Sequence, residues 1–365
     1  MTVDYLVVGS GLTGGTIARK LADAGREVLM VDRRPHAGGN VNDFAHESGV
    51  RIHTYGPHYF RTNSEELWRF VNQLSPFYRF EAVLKTEVDG KLENWPVAAS
   101  YVRKTVGDAW EPQFKGTASN FEEASLSLMP RIIYEKFVRG YTEKQWGVAA
   151  ASLSAGLANR FDVREDDEPR LMRHLYQGIP VQGYAHWMSC LLKGIPLILN
   201  WDFLARREEI KVRKCLVFTG PIDEFFGFDL GRLRYRGQRR EHSYFPDQGF
   251  IQPVVQVNNP DPGNGPHIRT IEWKHAMPPE YASRIQGTVL TKEIPFTPDD
   301  PQHFEYPFPD QANVAQYGLY RRRAEESGGR LLICGRLGEY RYYDMDQAIA
   351  RALMLAVKLL NDAAP

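Results

Sequence analysis

The chain has 365 residues, 43% of them apolar, with 45 basic residues balancing 45 acidic ones. That length supports a sizeable core and two or three domains, while zero net charge excludes a global field that would recruit nucleic acid or a membrane surface. No apolar run is long enough to span a bilayer, and the isolated Cys190, Cys215 and Cys334 show no metal spacing and fit a reducing cytoplasm.

Residues 3–32 read as strand, glycine loop, helix and strand. The opening DYLVVGSGLTGG spaces Gly9, Gly11 and Gly14 as G-x-G-x-x-G, and EVLMVD delivers Asp32 at the end of the second strand. This is the pattern of a dinucleotide site: glycines for the tight turn, for close backbone approach to a pyrophosphate and for helix–strand packing, with the acid near a ribose. The helix N-terminus adds partial positive charge toward the phosphates. The apolar start runs straight into this loop, so it reads as a core strand and not a signal peptide. Gly38-Gly39 in RRPHAGGN offers a second backbone contact at close range, a combination more typical of FAD than of NAD folds.

Further along, EELWRFVNQL and PRIIYEKFVRGY carry apolar residues at helical spacing, and Asp89-Gly90 marks a hairpin. KVRKCLVFTGPIDEFFG reads as a buried strand returning to the nucleotide domain at Gly220, then a short helix. Residues 232–295 alternate like an antiparallel sheet, and the chain ends in a strand, a glycine loop and a long amphipathic helix starting near Asp344. The domains expected are a discontinuous nucleotide domain (1–75, 205–231 and 325–365), a mainly helical substrate domain (76–204) and an antiparallel sheet domain (232–324).

Together these segments resemble the UDP-galactopyranose mutases, a family of bacterial flavoenzymes. The resemblance covers nearly the whole chain and rests on VVGSGLTGG, RRPHAGGN, IHTYGPHYFRTN, RGYTEKQWG, VFTGPIDEFF, GRLRYR and GRLGEYRYYDMDQ. It implies an α/β fold: a Rossmann-like, doubly wound FAD-binding domain with an inserted helical domain and an antiparallel sheet domain. It implies an isomerase that interconverts pyranose and furanose forms of a nucleotide-diphosphate sugar, UDP-galactose or a relative, and supplies galactofuranose for cell-surface polysaccharide. In that chemistry FAD is active when reduced, by NAD(P)H or another reductant, and its N5 attacks the anomeric carbon with no net redox change. A homodimer is implied by the bacterial relatives.

The resemblance also implies roles. His58 sits beside the flavin ring. Arg160 and Arg236 face the leaving diphosphate, whose oxygens match a guanidinium fork. Independently, GRLRYR sets Arg232, Arg234 and Arg236 on one strand face and Leu233 and Tyr235 on the other, a face that also reads as solvated. Phe137, Tyr141, Thr142 and Trp146 pack the base and ribose, and Asn258, Tyr306, Tyr342 and Asp344 complete the substrate contacts, with helix capping an equal reading of Asp344. The cofactor contacts are Gly9, Gly11, Thr13, Gly14, Asp32, Arg33, Gly39, Asn40, His58, Tyr59, Gly220, Arg336, Tyr343, Asp344, Met345 and Gln347. No metal ligand is implied.

Departures from the family pattern fall on the substrate side. Leu171 and Pro307 stand where tyrosines are usual, with Tyr306 beside the latter; Ala82 replaces an asparagine, Val138 an aromatic, and Arg61 the histidine of F-H-T. Two lost phenolic hydrogen bonds would weaken diphosphate binding by roughly 1–3 kcal/mol, and Arg170 and Arg173 lie nearest in sequence to compensate. The acidic DVREDDEPR reads as a solvated loop or as a lid for a different sugar or base. An FAD oxidase or dehydrogenase on the same fold and a non-catalytic nucleotide-sugar-binding homologue remain open alternatives.

Overall fold

The computed structural model describes residues 1–161 and 163–361. Its base is a five-stranded parallel sheet assembled from distant parts of the chain. The strands run in the order Leu197–Ile198, β2 (Val28–Val31), β1 (Thr2–Val8), Lys211–Phe218 and Leu331–Ile333. Both faces are covered at the centre, which is why β2, the second half of β1 and residues 215–218 read as apolar runs, while residues 211–214 are largely exposed. On one face α1 (Leu12–Asp23) packs against the last helix, Met345–Asn361, joining Ile17 and Leu21 to Ile349, Ala352 and Leu355. On the other, Leu6, Val31 and Phe218 meet Phe203, Ile210 and Phe225.

A seven-stranded sheet stands apart from it. Its order is Tyr306–Pro307, Tyr235–Phe245, Thr288–Phe296, Arg269–Glu272, Gln256–Asn258, Leu84–Val88 and Lys91–Trp95. The hairpin at Asp89-Gly90 therefore extends this sheet, and the strand that joins it, Leu84–Val88, pairs in parallel with Gln256–Asn258. Pure alternation in the sequence marks a half-buried strand but not its neighbour, so this parallel junction was not readable there. A small sheet places Tyr176–Pro180 between Phe60–Thr62 and Phe77–Arg79.

The helical part buries Phe121, Tyr134, Phe137, Val138 and Trp146 around its own core. PRIIYEKFVRGY is helical as its spacing suggests, but Tyr134–Arg139 is wound as a π-helix before the α-helix Gly140–Trp146. Such wider turns are rare and concentrate at functional sites. No helix among the described residues is long and apolar enough to cross a membrane.

Candidate active site

Two clefts adjoin one another between the sheets. The first, spanning about 1180 Å³ with its mouth included, runs along the C-terminal ends of the parallel strands, where ligands of doubly wound sheets bind. Its floor is glycine. A Cβ on Gly14 would meet the Gly9 carbonyl oxygen at 2.0 Å, and one on Gly39 would meet the Gly11 Cα at 2.9 Å. The two glycine turns thus lie back to back, tied by the Gly38 N–H donating to the Ser10 carbonyl at 3.0 Å. No side chain caps the N-terminus of α1, so its N–H groups are available to an anion. A long groove with bare backbone at this point fits a dinucleotide pyrophosphate.

Of the expected cofactor contacts, Gly9, Gly11, Thr13, Gly14, Asp32, Arg33, Gly39, Asn40, His58, Gly220, Arg336, Tyr343 and Met345 line this cleft. Asp32 is more structural than expected: its carboxylate accepts from the Ser10 N–H (2.7 Å), the Ser10 hydroxyl (2.6 Å) and the Arg34 N–H (2.9 Å). A carboxylate has about four acceptor sites, so little capacity remains for a ribose. Arg33 is held by a two-pronged pair with Glu224, and Asn40 accepts from Arg34 at 2.8 Å. Three expected contacts lie elsewhere. Tyr59 faces the second cleft. Gln347 accepts the Asp344 N–H at 3.1 Å, and the Asp344 carboxylate pairs with Arg61 at 2.9 Å instead of capping the last helix. The segment Trp201–Leu204, missed in the sequence, walls the far end of the cleft. It follows a strand of only two residues, Leu197–Ile198, too short to show periodicity.

His58 closes the near end. Its Nδ1 lies 2.7 Å from the Gly56 carbonyl oxygen, which can only accept, so Nδ1 carries the proton and Nε2 keeps a bare lone pair. Burial, with His53 nearby, lowers its pKa to about 3. His53 is wholly buried, and burial lowers its pKa to about 3 as well; its Nδ1 accepts the His58 backbone N–H at 3.1 Å.

The second cleft spans about 1250 Å³, its mouth included. Phe137, Tyr141, Thr142, Trp146, Asn258, Tyr306 and Tyr342 all line it, as does Trp95. At the end beside His58, Tyr306 and Tyr342 stack 6.2 Å apart at 11°, and the Arg336 guanidinium lies 4.9 Å from the Tyr342 ring. Burial raises the Tyr306 pKa to about 12.

The arginines are distributed differently from expectation. Arg236 is buried behind the cleft, donating to the Gln145 carbonyl (2.7 Å), the Lys144 carbonyl (3.2 Å) and the Thr297 hydroxyl (2.5 Å). Its fork is spent on the C-terminal end of helix Gly140–Trp146 and on Thr297, and it is not among the residues that line the cleft. Arg232 and Arg234 stack on the Phe228 and Phe308 rings, each 3.8 Å from the centroid. Arg160 ends the 3-10 segment Ala155–Arg160, and its side chain lies outside the described residues. Two arginines line the cleft among the described residues, Arg61 and, from the large sheet, Arg269. Its cross-strand partner Glu293, fully buried, pairs with it and with Arg240, which pairs in turn with Glu305. The alternation of IRTIEW was its signal, but register alone decides which face meets a cleft.

The sequence departures separate cleanly. Ala82, Val138 and Pro307 are buried in packing, whereas Leu171 and Arg61 line the cleft. Arg170 pairs with Glu168 and Glu81, and Arg173 with Asp166, so neither compensates at the cleft. The acidic loop is absorbed locally, with Asp167 accepting the Ser100 N–H at 2.8 Å; its first residue, Asp162, lies outside the described residues.

Residues 136–342 match the family model described as UDP-galactopyranose mutase, and residues 7–74 match an NAD(P)-binding Rossmann-like domain. The chain is 32% identical to a probable UDP-galactopyranose mutase of Klebsiella pneumoniae, covering 99% of this chain and 96% of that protein. It is 31% identical to a dTDP-fucopyranose mutase of Escherichia coli, covering 96% and 97%. Among solved structures, a reduced UDP-galactopyranose mutase matches with a TM-score of 0.73 at 13% identity, over 100% of this chain and 96% of that one. At that identity the likeness speaks for the fold.

Proposed function

The chain belongs to the UDP-galactopyranose mutase family, and on that footing we propose that it interconverts the pyranose and furanose forms of a nucleoside-diphosphate sugar, with UDP-galactose and dTDP-fucose as first candidates. The observation that carries this reading is the junction of the two clefts. Pro57 and Tyr342 line one while their chain neighbours His58 and Tyr343 line the other, so a sugar held in the second cleft meets a cofactor ring held in the first.

FAD is the group we place in the first cleft, its pyrophosphate on the Gly9–Gly14 turn and its ring toward His58 and Arg336. Bound and reduced, it supplies a nucleophilic ring nitrogen for displacement at the anomeric carbon. Neutral His58 offers an acceptor at Nε2 and cannot serve as an acid near neutral pH. In the second cleft, Trp95, Phe137 and Trp146 pack the base by aromatic contact. Arg269 meets the diphosphate, whose negative charge grows as it leaves, and the buried Glu293 fixes the orientation of that guanidinium. Low exposure of the cleft walls excludes water that would otherwise compete for the anomeric carbon.

The test is anaerobic incubation of dithionite-reduced, FAD-loaded protein with UDP-galactopyranose and dTDP-fucopyranose, with products separated by chromatography. Interconversion that needs the reduced form is expected. FAD bound stoichiometrically with no furanose from either sugar would sink the reading, and stoichiometric oxidation of substrate would replace it with an oxidase.

A further inference from the structure

Resting on that nucleotide-sugar reading, we propose that Arg61 is a substrate-binding residue that grips the sugar-proximal phosphate, in place of the phenol absent at Leu171. Arg61 lies in the strand Phe60–Thr62, and its side chain lines the second cleft at the end shared with Pro57, Arg269 and Tyr342. This is the end next to His58, and therefore the end where the sugar and its attached phosphate must lie if the base occupies the aromatic end.

The guanidinium is 19% exposed, and its ionic partner among the described residues is Asp344, held by a single contact of 2.9 Å. A guanidinium carries five N–H donors in a planar fork, so one carboxylate contact leaves enough of the fork for phosphate oxygens. Asp344 is itself 28% exposed, and water can take over its freed oxygen when a phosphate arrives.

The neighbouring wall explains why this arginine is needed. Arg61 pairs across strands with Gln177, whose Nε2 donates to the carbonyls of Met172 (3.0 Å) and His174 (3.1 Å). That tether sets Leu171 and Met172, two side chains without a strong donor, into the cleft beside Arg61. Arg61 and Arg269 thus present two cations, each tempered by one carboxylate, which matches the two charged groups of a diphosphate.

The experiment compares UDP with UMP by titration calorimetry on FAD-loaded protein, using Arg61→His, Arg61→Lys and the double variant Arg61→His with Leu171→Tyr. Losing charge-assisted bonds to one phosphate should weaken UDP roughly ten- to hundredfold in Arg61→His while UMP changes by about twofold or less. Arg61→Lys should fall between, because it keeps the charge and loses the fork, and the added phenol should restore part of the loss. Equal losses for UDP and UMP, or unchanged UDP affinity with a lowered melting temperature, would reduce Arg61 to a structural tether of Asp344 and overturn the inference. Wild-type protein that binds neither UDP nor dTDP would reject the nucleotide-sugar reading itself.

Discussion

Arg236 and Arg269 show why one residue type can serve two ends. Both lie on strands of the same sheet, yet one fork closes the end of a helix and the other faces a cleft. Burial lowers the Arg236 pKa to about 10, and among the described residues its protons go to neutral oxygens. Arg236→Met should cost roughly 2–3 kcal/mol of stability by stranding the Lys144 and Gln145 carbonyls, read from urea unfolding. The histidine pair gives a second prediction. His53 and His58 stay neutral in the fold down to about pH 3, but protonate near 6.5 once unfolded. The unfolded chain then binds more protons, so stability falls as pH drops from about 6.5 toward 3. His53→Gln should flatten that acid limb by about 1.4 kcal/mol per pH unit, measured by denaturant titrations between pH 4 and 6. His58 was legible from IHTYGPHYF; Arg269 was not, because its role depends on pairing with Glu293, distant in sequence.

At the scale of elements, the glycine unit was readable because all its parts lie within one continuous stretch and each has a local geometric duty. The π-wound segment Tyr134–Arg139 was not, since π and α turns share the same apolar spacing over so short a run. The acidic stretch was ambiguous for a different reason. Its charges are matched by arginines a few residues away, and composition cannot tell a charge that is paired from one that faces a ligand. The segment 171–175 hangs on Gln177, a buried side chain on the central strand of the small sheet. Gln177→Ala should remove about 1–2 kcal/mol, and hydrogen exchange should show faster amide exchange confined to that segment. Unchanged exchange there would mean that the bonds of Leu171 N–H to the Ala82 carbonyl and of Leu175 N–H to Asn63 hold the segment without Gln177.

For the whole molecule, the parallel sheet gathers strands from the start, middle and end of the chain, so cofactor binding stabilises every part at once. With FAD at a hundredfold above its dissociation constant, the holoprotein should exceed the apoprotein by about 2.7 kcal/mol. Because the clefts have no lining residue in common, UMP should raise the melting temperature of apoprotein and holoprotein alike. A shift confined to holoprotein would reveal coupling through the Pro57-His58 loop. The sequence conveyed this architecture by resemblance and by the glycine unit, while the seating of the Leu84–Trp95 hairpin in the large sheet came only from tertiary pairing.

The separateness of the two beds has a consequence for descent. Substitutions at positions 61 and 171 redraw the wall of one cleft without touching any residue that lines the other. Where two such enzymes differ in their sugar, the divergence should collect on one side of the Pro57–His58 peptide bond, and a graft of that wall should carry the preference with it.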